Sequence, residues 1–184
     1  MIGIKFRNIH SSTFKIGVKS VNRSVLPSLR KNEFTIPGRH GTIDYGLNTY
    51  EKRNLPVKIS VAESVTFEEL RDTVRDIARW LSGKGVLIFD DEPDKAYQAS
   101  VYEPVDADQL LECLPYEEFT VTFECQPFAE SLEYQGVNTP HITTQTKEIS
   151  LTVNGTAETG CIITIKNTGA TIVSGISLRR KVAI

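Results

Sequence analysis

The sequence predicts a mainly β fold with a single α-helix. Alternation of polar and apolar residues with period two recurs along most of the chain, the pattern of half-buried strands. Only 66–81 carries apolar residues at steps of three and four, the period of a helix. Proline and glycine fall between these stretches, where turns are needed. With 184 residues, 40% of them hydrophobic and 24% charged, the chain has the apolar material for one core and a small appendage.

The first strands follow Ile2-Gly3-Ile4-Lys5-Phe6 and Phe14-Lys15-Ile16-Gly17-Val18, and a third follows Leu55-Pro56-Val57-Lys58-Ile59-Ser60-Val61. The alternating N-terminus lacks the continuous apolar run of a signal peptide, so a strand of a protein folded in the cytosol is expected there. Between the second and third strands lies Ile36-Pro37-Gly38-Arg39-His40-Gly41-Thr42-Ile43-Asp44-Tyr45-Gly46. Its glycines, arginine, histidine and aspartate would suit a phosphate loop, but such a loop opens a helix, and 42–45 reads as a strand. Gly38 and Gly41 are therefore expected at positive φ or at close backbone approaches, shaping a structural turn. Arg39 at its tip is left to pair with a carboxylate elsewhere, including one on another chain.

The helix opens on a capping box, Thr66 with Glu69. Phe67, Leu70, Val74, Ile77, Ala78 and Leu81 then form one apolar face, and Ser82-Gly83 ends the helix. Arg71, Asp72, Arg75, Asp76 and Arg79 occupy the other face. The apolar face needs a sheet to cover it, with Trp80 sealing its end. Val86-Leu87-Ile88-Phe89 is the next strand, followed by an acidic turn at Asp90-Asp91-Glu92-Pro93-Asp94 and a strand near 97–102. Phe119–Cys125 alternates again. Beyond a polar stretch, Ile149–Val153 and Cys161–Ile165 are strand-like, broken by Asn154-Gly155 and Gly169. The expected organisation is a domain over 1–130, a linker over 131–147 and a partial β segment over 148–184.

Charge is spread unevenly. Residues 1–58 hold eleven Lys/Arg against three Asp/Glu, a net of +8, whereas 59–133 net −13 and 134–184 net +3. The basic residues of the first third stand singly along strands, without a clustered run or interleaved aromatics. Contact between basic and acidic stretches, within or between subunits, is expected in place of specific nucleic-acid binding. No run approaches the roughly 20 apolar residues of a membrane helix, so membrane insertion is not expected. Cys113, Cys125 and Cys161 are odd in number and lack CxxC spacing, which points to small buried hydrophobes.

Chemistry is sparse. No GxSxG, HExxH, GxGxxG or GxxxxGKS/T motif occurs. His10, His40 and His141 fall in expected loops with no metal partner at usable spacing, and read as surface residues. Asp90–Asp94 lacks the alternating ligands and central glycine of a calcium loop, and reads as a solvated hairpin turn. No catalytic residue, cofactor site or metal site is expected.

An ordered set of segments resembles one family. The N-terminal strand leads to VNRSVLPSLRKNEFTIPGRHGTIDYGLNTYEKRNLPVKISV, then to a capped helix ending IARWLSG, then to GVLIFDDEPDKAYQASVY and FTVTFECQPF. Together, over residues 1 to 130, they resemble the distal tail protein (Dit) family of long-tailed, non-contractile phages and related prophages of Gram-positive bacteria. The most specific pieces are the turn at Gly38, Arg39 and Gly41, the Trp80-Leu81 helix end, and the hairpin from Asp90 to Tyr97.

The resemblance implies a structural virion protein without catalysis or cofactor. It implies a hexameric ring at the tail tip, assembled in the host cytoplasm. This baseplate hub would join the tail tube protein to a tail-tip hub or tail-lysin protein and to any receptor-binding protein. It also implies a tail-tube-like β-sandwich N-terminal domain with one flanking helix, followed by an outward galectin-like or carbohydrate-module-like sandwich. Here only 148–184 follow the linker, fewer residues than that second sandwich needs. A carbohydrate-binding or adhesion β module is the alternative, although 135–184 hold no Phe, Tyr or Trp to stack on a sugar. A small hydrolase would need a nucleophile, a base and an orienting group that the motifs do not assemble.

Overall fold

The computed structural model describes residues 3–20, 22–46, 49–61, 67–103, 119–139, 141–144, 146–150, 152, 155–157 and 159–179; at 61 and 67–71 it describes the backbone alone. The strands are β1 (Ile4–Phe6), β2 (Ile9–His10), β3 (Ile16–Ser20), β4 (Glu33–Phe34), β5 (Ile43–Asp44) and β6 (Arg53–Val61). After helix α1 (Phe67–Leu81) come β7 (Lys84–Phe89), β8 (Glu92–Ser100), β9 (Phe119–Cys125) and β10 (Glu130–Ser131). One antiparallel sheet runs β2-β1-β7-β8-β9-β6-β3, with β10 added to β8, while β4 and β5 pair with each other. The fold is mainly β with a single helix, as the periodicities predict.

Alternation sets which face is buried. Leu55, Val57 and Ile59 of β6 stand directly opposite Phe123, Val121 and Phe119 of β9, and all six are buried. Burying each such side chain stabilises by about 1.5–3 kcal/mol relative to leaving it in water. Pro56 is tolerated because pairing of β6 with β3 begins only at Val57. The sheet is strongly curled: Phe6 of β1 and Phe123 of β9 meet edge to face at 5.2 Å although β7 and β8 lie between their strands. A flat sheet would hold those strands about 14 Å apart. Its two halves therefore face each other as the layers of a sandwich do.

Helix α1 buries Val74, Ile77, Trp80 and Leu81 in this core. Trp80 does more than seal an end. Its indole Nε1 donates to the Phe6 carbonyl at 2.9 Å, and its ring packs against Phe6 and Phe14. Turning the buried stripe toward the indole carries Ala78 out to solvent, contrary to its expected place on the apolar face. A methyl has little area to lose by this, and an indole has much to gain. Thr66 and the side chains of Phe67, Leu70 and Glu69 lie outside the described residues.

Local chemistry moves some boundaries. Phe14 closes a 3₁₀ turn, Ser11–Phe14, and is not strand. Lys15 then takes φ 55°, and β3 starts at Ile16. The strand β2 was not foreseen either; Arg7 and Asn8, at φ 50° and 66°, form the tight turn that returns β1 into it. The acidic turn is shorter than expected. Phe89 pairs with Glu92, so Asp90 and Asp91 alone make the reversal and Glu92–Asp94 already belong to β8.

The chain divides into two units, Met1–His141 and Ile142–Ile184. In the second, Cys161–Ile165 was expected as a strand, but the structure assigns it none and Ile162 is 83% exposed. Alternation makes a strand only where another strand offers backbone partners, and none does so among the described residues. Gly169 does sit in a turn, its N–H donating to Asn167 Oδ1 at 2.9 Å.

Candidate assembly surface

The glycine-rich stretch forms the end of a two-legged arm spanning 28–51. At its root Glu51 N–H donates to Ser28 O at 2.7 Å, Leu29 bridges to Tyr50, and Arg30 N–H donates to Thr49 O at 2.8 Å. Farther out Tyr45 N–H donates to Asn32 O, and Glu33 and Phe34 pair with Asp44 and Ile43. The register of the root pairs differs by two residues from that of the outer pairs. None of the arm's described residues joins the core cluster.

Both glycines that shape the tip do so through the backbone. Gly38 and Gly41 each have φ +81°, and a Cβ built at either meets nothing within 4 Å. The requirement is left-handed φ rather than space. Arg39 N–H donates to Ile36 O at 3.1 Å, and its guanidinium makes no ion pair among the described residues. Phe34 and Tyr45 near the tip are 57% and 65% exposed, and Val25, Leu26 and Leu29 are exposed beside the root.

The root is held firmly. Tyr50 meets Phe128 edge to face at 5.1 Å, and Arg30 Nε donates to Glu51 Oε1 at 2.7 Å, which holds the Arg30 pKa above its ordinary value. Arg53 lies over the Tyr97 ring and donates to the carbonyls of Ser24 and Pro127. A part of the segmental charge is balanced within the chain: Arg23 pairs with Asp91 and Glu92, and Lys52 with Glu124. The last contact also raises the Lys52 pKa.

A polar cluster elsewhere links two turns. His10 Nε2 contacts both Asp90 oxygens at 3.1 and 3.2 Å, and its Nδ1 lies 2.7 Å from Ser12 Oγ. A serine, an imidazole and a carboxylate thus stand in a row that no sequence spacing revealed. Asp90 accepts only, which places the ring proton on Nε2 and leaves Nδ1 to accept from the Ser12 N–H at 3.2 Å. Asp90 also accepts from the Gly3 N–H at 2.7 Å. Every member is committed to a latch between the 3₁₀ turn and the β7–β8 turn. Among the described residues no group of three His, Cys, Asp or Glu is placed to hold a metal ion. Cys125 is buried as expected, and burial pushes its thiol up to about 12. Cys161 is exposed, against expectation, and Cys113 lies outside the described residues.

Residues 10–125, more than half of the chain, match the family described as the phage tail protein RIFT-related domain. The chain belongs to this family. The matched stretch of this phage tail protein contains the arm, α1 and β3 to β9. Among solved structures it is similar to the Dit protein (gp 19.1) of phage SPP1, described as a paradigm of the hub adsorption apparatus in phages infecting Gram-positive bacteria. The similarity has a TM-score of 0.55 at 22% identity and covers 68% of this chain and 50% of the other, so the chain spans half the length of that protein. At this identity the likeness concerns the fold, which is Dit-like. No curated protein matches the sequence.

Gly38, Arg39 and Gly41 thus come together at the arm tip, while Val74, Ile77, Trp80 and Leu81 come together in the core. The two sets do not share a site.

Proposed function

We propose that this phage tail protein forms a ring-shaped hub at the tail tip that joins the tail tube to the host-adsorption apparatus. One observation carries the proposal: a compact body of a tail-protein family presents a rooted arm whose large apolar side chains stand in water. Exposed apolar surface of this kind marks a contact with another molecule. The Dit-like fold supports a hub role. Its contacts are a second copy of itself, closing as a hexamer, the tail tube protein, a tail-tip hub or tail-lysin protein, and a receptor-binding protein. Residues 1–130 form the ring, 131–147 the linker and 148–184 a partial β segment. Its location is the virion tail tip, after assembly in the host cytoplasm.

The role in this reading is structural and non-enzymatic, as membership of a tail-protein family suggests. The carbohydrate-binding alternative has no specific observation in its favour. Electron microscopy of the purified protein, and of tails made with and without its gene, tests the proposal. Six-fold rings, and tails that lack an adsorption tip when the gene is deleted, are expected. Complete tails in its absence, together with a protein that forms no ring, would overturn it.

A further inference from the structure

The arm is attached through two legs, and one side chain reaches the attachments of both. Arg53 opens β6 directly after the returning leg. One guanidinium nitrogen donates to the carbonyl of Ser24, shortly before the outgoing leg, and another to that of Pro127 at 3.4 Å. Pro127 precedes Phe128, the ring against which Tyr50 of the returning leg packs at 5.1 Å. The guanidinium also lies over the Tyr97 ring of β8, 5.8 Å from its centroid. Tyr97 meets Phe89 edge to face at 6.0 Å, and Arg23 lies over the Phe89 ring at 4.5 Å. Contacts therefore run in a closed circuit from Ser24 through Arg53, Tyr97 and Phe89 to Arg23, which the chain joins back to Ser24.

We infer that Arg53 is the positioning residue of the arm: it fixes the direction in which the arm leaves the body, and the arm turns on it as a rigid lever. Two features support this. Arg23 and Lys52 beside it are matched by carboxylates, whereas Arg53 makes no ion pair among the described residues and its buried Nε has no hydrogen-bond partner. A partly buried cation in that state costs stability that an apolar side chain would not. What its planar fork supplies is a set angle between two acceptors on separate segments. The second feature is the independence of the arm's own order. The bonds of Arg30 with Thr49 and of Tyr45 with Asn32, and the β4–β5 pairs, use no atom of the body. Attachment and internal order are thus separate sets of contacts, and one can be broken without the other. A preset direction reduces the ordering entropy lost when the arm meets any other molecule. The inference concerns a single chain and holds or fails independently of the ring proposed above.

Pulsed electron paramagnetic resonance on the full chain tests it. Two exposed positions carry nitroxides, His40→Cys near the arm tip and Arg75→Cys on α1, with Cys113→Ser and Cys161→Ser removing other sites of labelling. Labelled copies are diluted into unlabelled ones, so that only distances within a chain are read. With Arg53 intact, one narrow distance distribution is expected. Arg53→Met should widen it. Arg53→Lys should widen it too, because a single ammonium keeps the charge over Tyr97 but cannot hold both carbonyls at a set angle. Amide exchange at Arg30 and Tyr45 should keep its wild-type rate in both variants. A distribution unchanged by both substitutions, or already broad with Arg53 intact, would overturn the inference. Faster exchange of these arm amides in Arg53→Lys would overturn it as well, since Arg53 would then support the folding of the arm and not its direction.

Discussion

A methyl added at Gly85 would overlap the Arg7 side chain at Cγ. Arg7 in turn donates to the carbonyls of Arg79 and Ser82 at the C-terminus of α1, where backbone acceptors are left over and the helix dipole is negative. Gly85→Ala is therefore expected to cost about 1–3 kcal/mol, the usual cost of overpacking, measured by chemical denaturation. An unchanged midpoint would show that Arg7 shifts freely. Gly41 presents the opposite case, with open space but φ +81°. Gly41→Val should strain the tip by about 1–3 kcal/mol and Gly41→Asn by less, because asparagine tolerates left-handed backbone. Amide exchange at the arm reads this directly, and equal protection in both variants would contradict it. The glycine pattern made the Gly41 turn legible in the sequence. The partner of Gly85 was not legible, because Arg7 lies far away in the chain and meets it only through the sheet. Cys125 follows burial first of all: with its thiol held protonated up to about 12, it should resist alkylation at pH 8 to 9. Peptide mapping should find Cys161 modified under the same conditions. Rapid labelling of Cys125 in the folded protein would mean that the β9 core opens.

At the scale of elements, strands and helix were readable wherever a period decided them. The β6 and β9 alternation, and Val74, Ile77 and Leu81 of the α1 stripe, fall where burial places them. Failures came where the period was irrelevant or incomplete. The 3₁₀ turn at Ser11–Phe14 is stabilised by the His10 side chain accepting from the Ser12 N–H, a contact invisible to alternation. Cys161–Ile165 alternates but has no partner strand among the described residues. Within α1 the stripe alone could not say whether Ala78 or Trp80 would be buried; the Phe6 carbonyl decided it. Ile77→Ala, at a fully buried position, should cost about 2–5 kcal/mol. Trp80→Phe keeps most of the apolar area but leaves the Phe6 carbonyl without its donor, a further cost of about 1–3 kcal/mol. Thermal melting of the two variants tests both expectations, and a Trp80→Phe protein as stable as wild type would show that water reaches that carbonyl.

For the whole molecule, charge and apolar surface would divide the work of the proposed assembly. The first third of the chain is +8 and the middle −13, and a share of this is already matched within the chain by Arg23 with Asp91 and Glu92 and by Lys52 with Glu124. What remains exposed can act between copies. A two-fold contact using one patch would bring like charges together, whereas head-to-tail contact joins unlike ones and closes as a ring when the rotation allows. Exposed ion pairs contribute only about 0–1 kcal/mol each and are screened over about 8–10 Å at physiological salt. Charge should therefore set register and speed of association while the apolar residues supply most of the affinity. Moderate salt is expected to slow assembly and to lower affinity only slightly, as followed by light scattering across a salt series. Dissociation of the rings by moderate salt alone would show that ion pairs, and not apolar burial, hold the copies together.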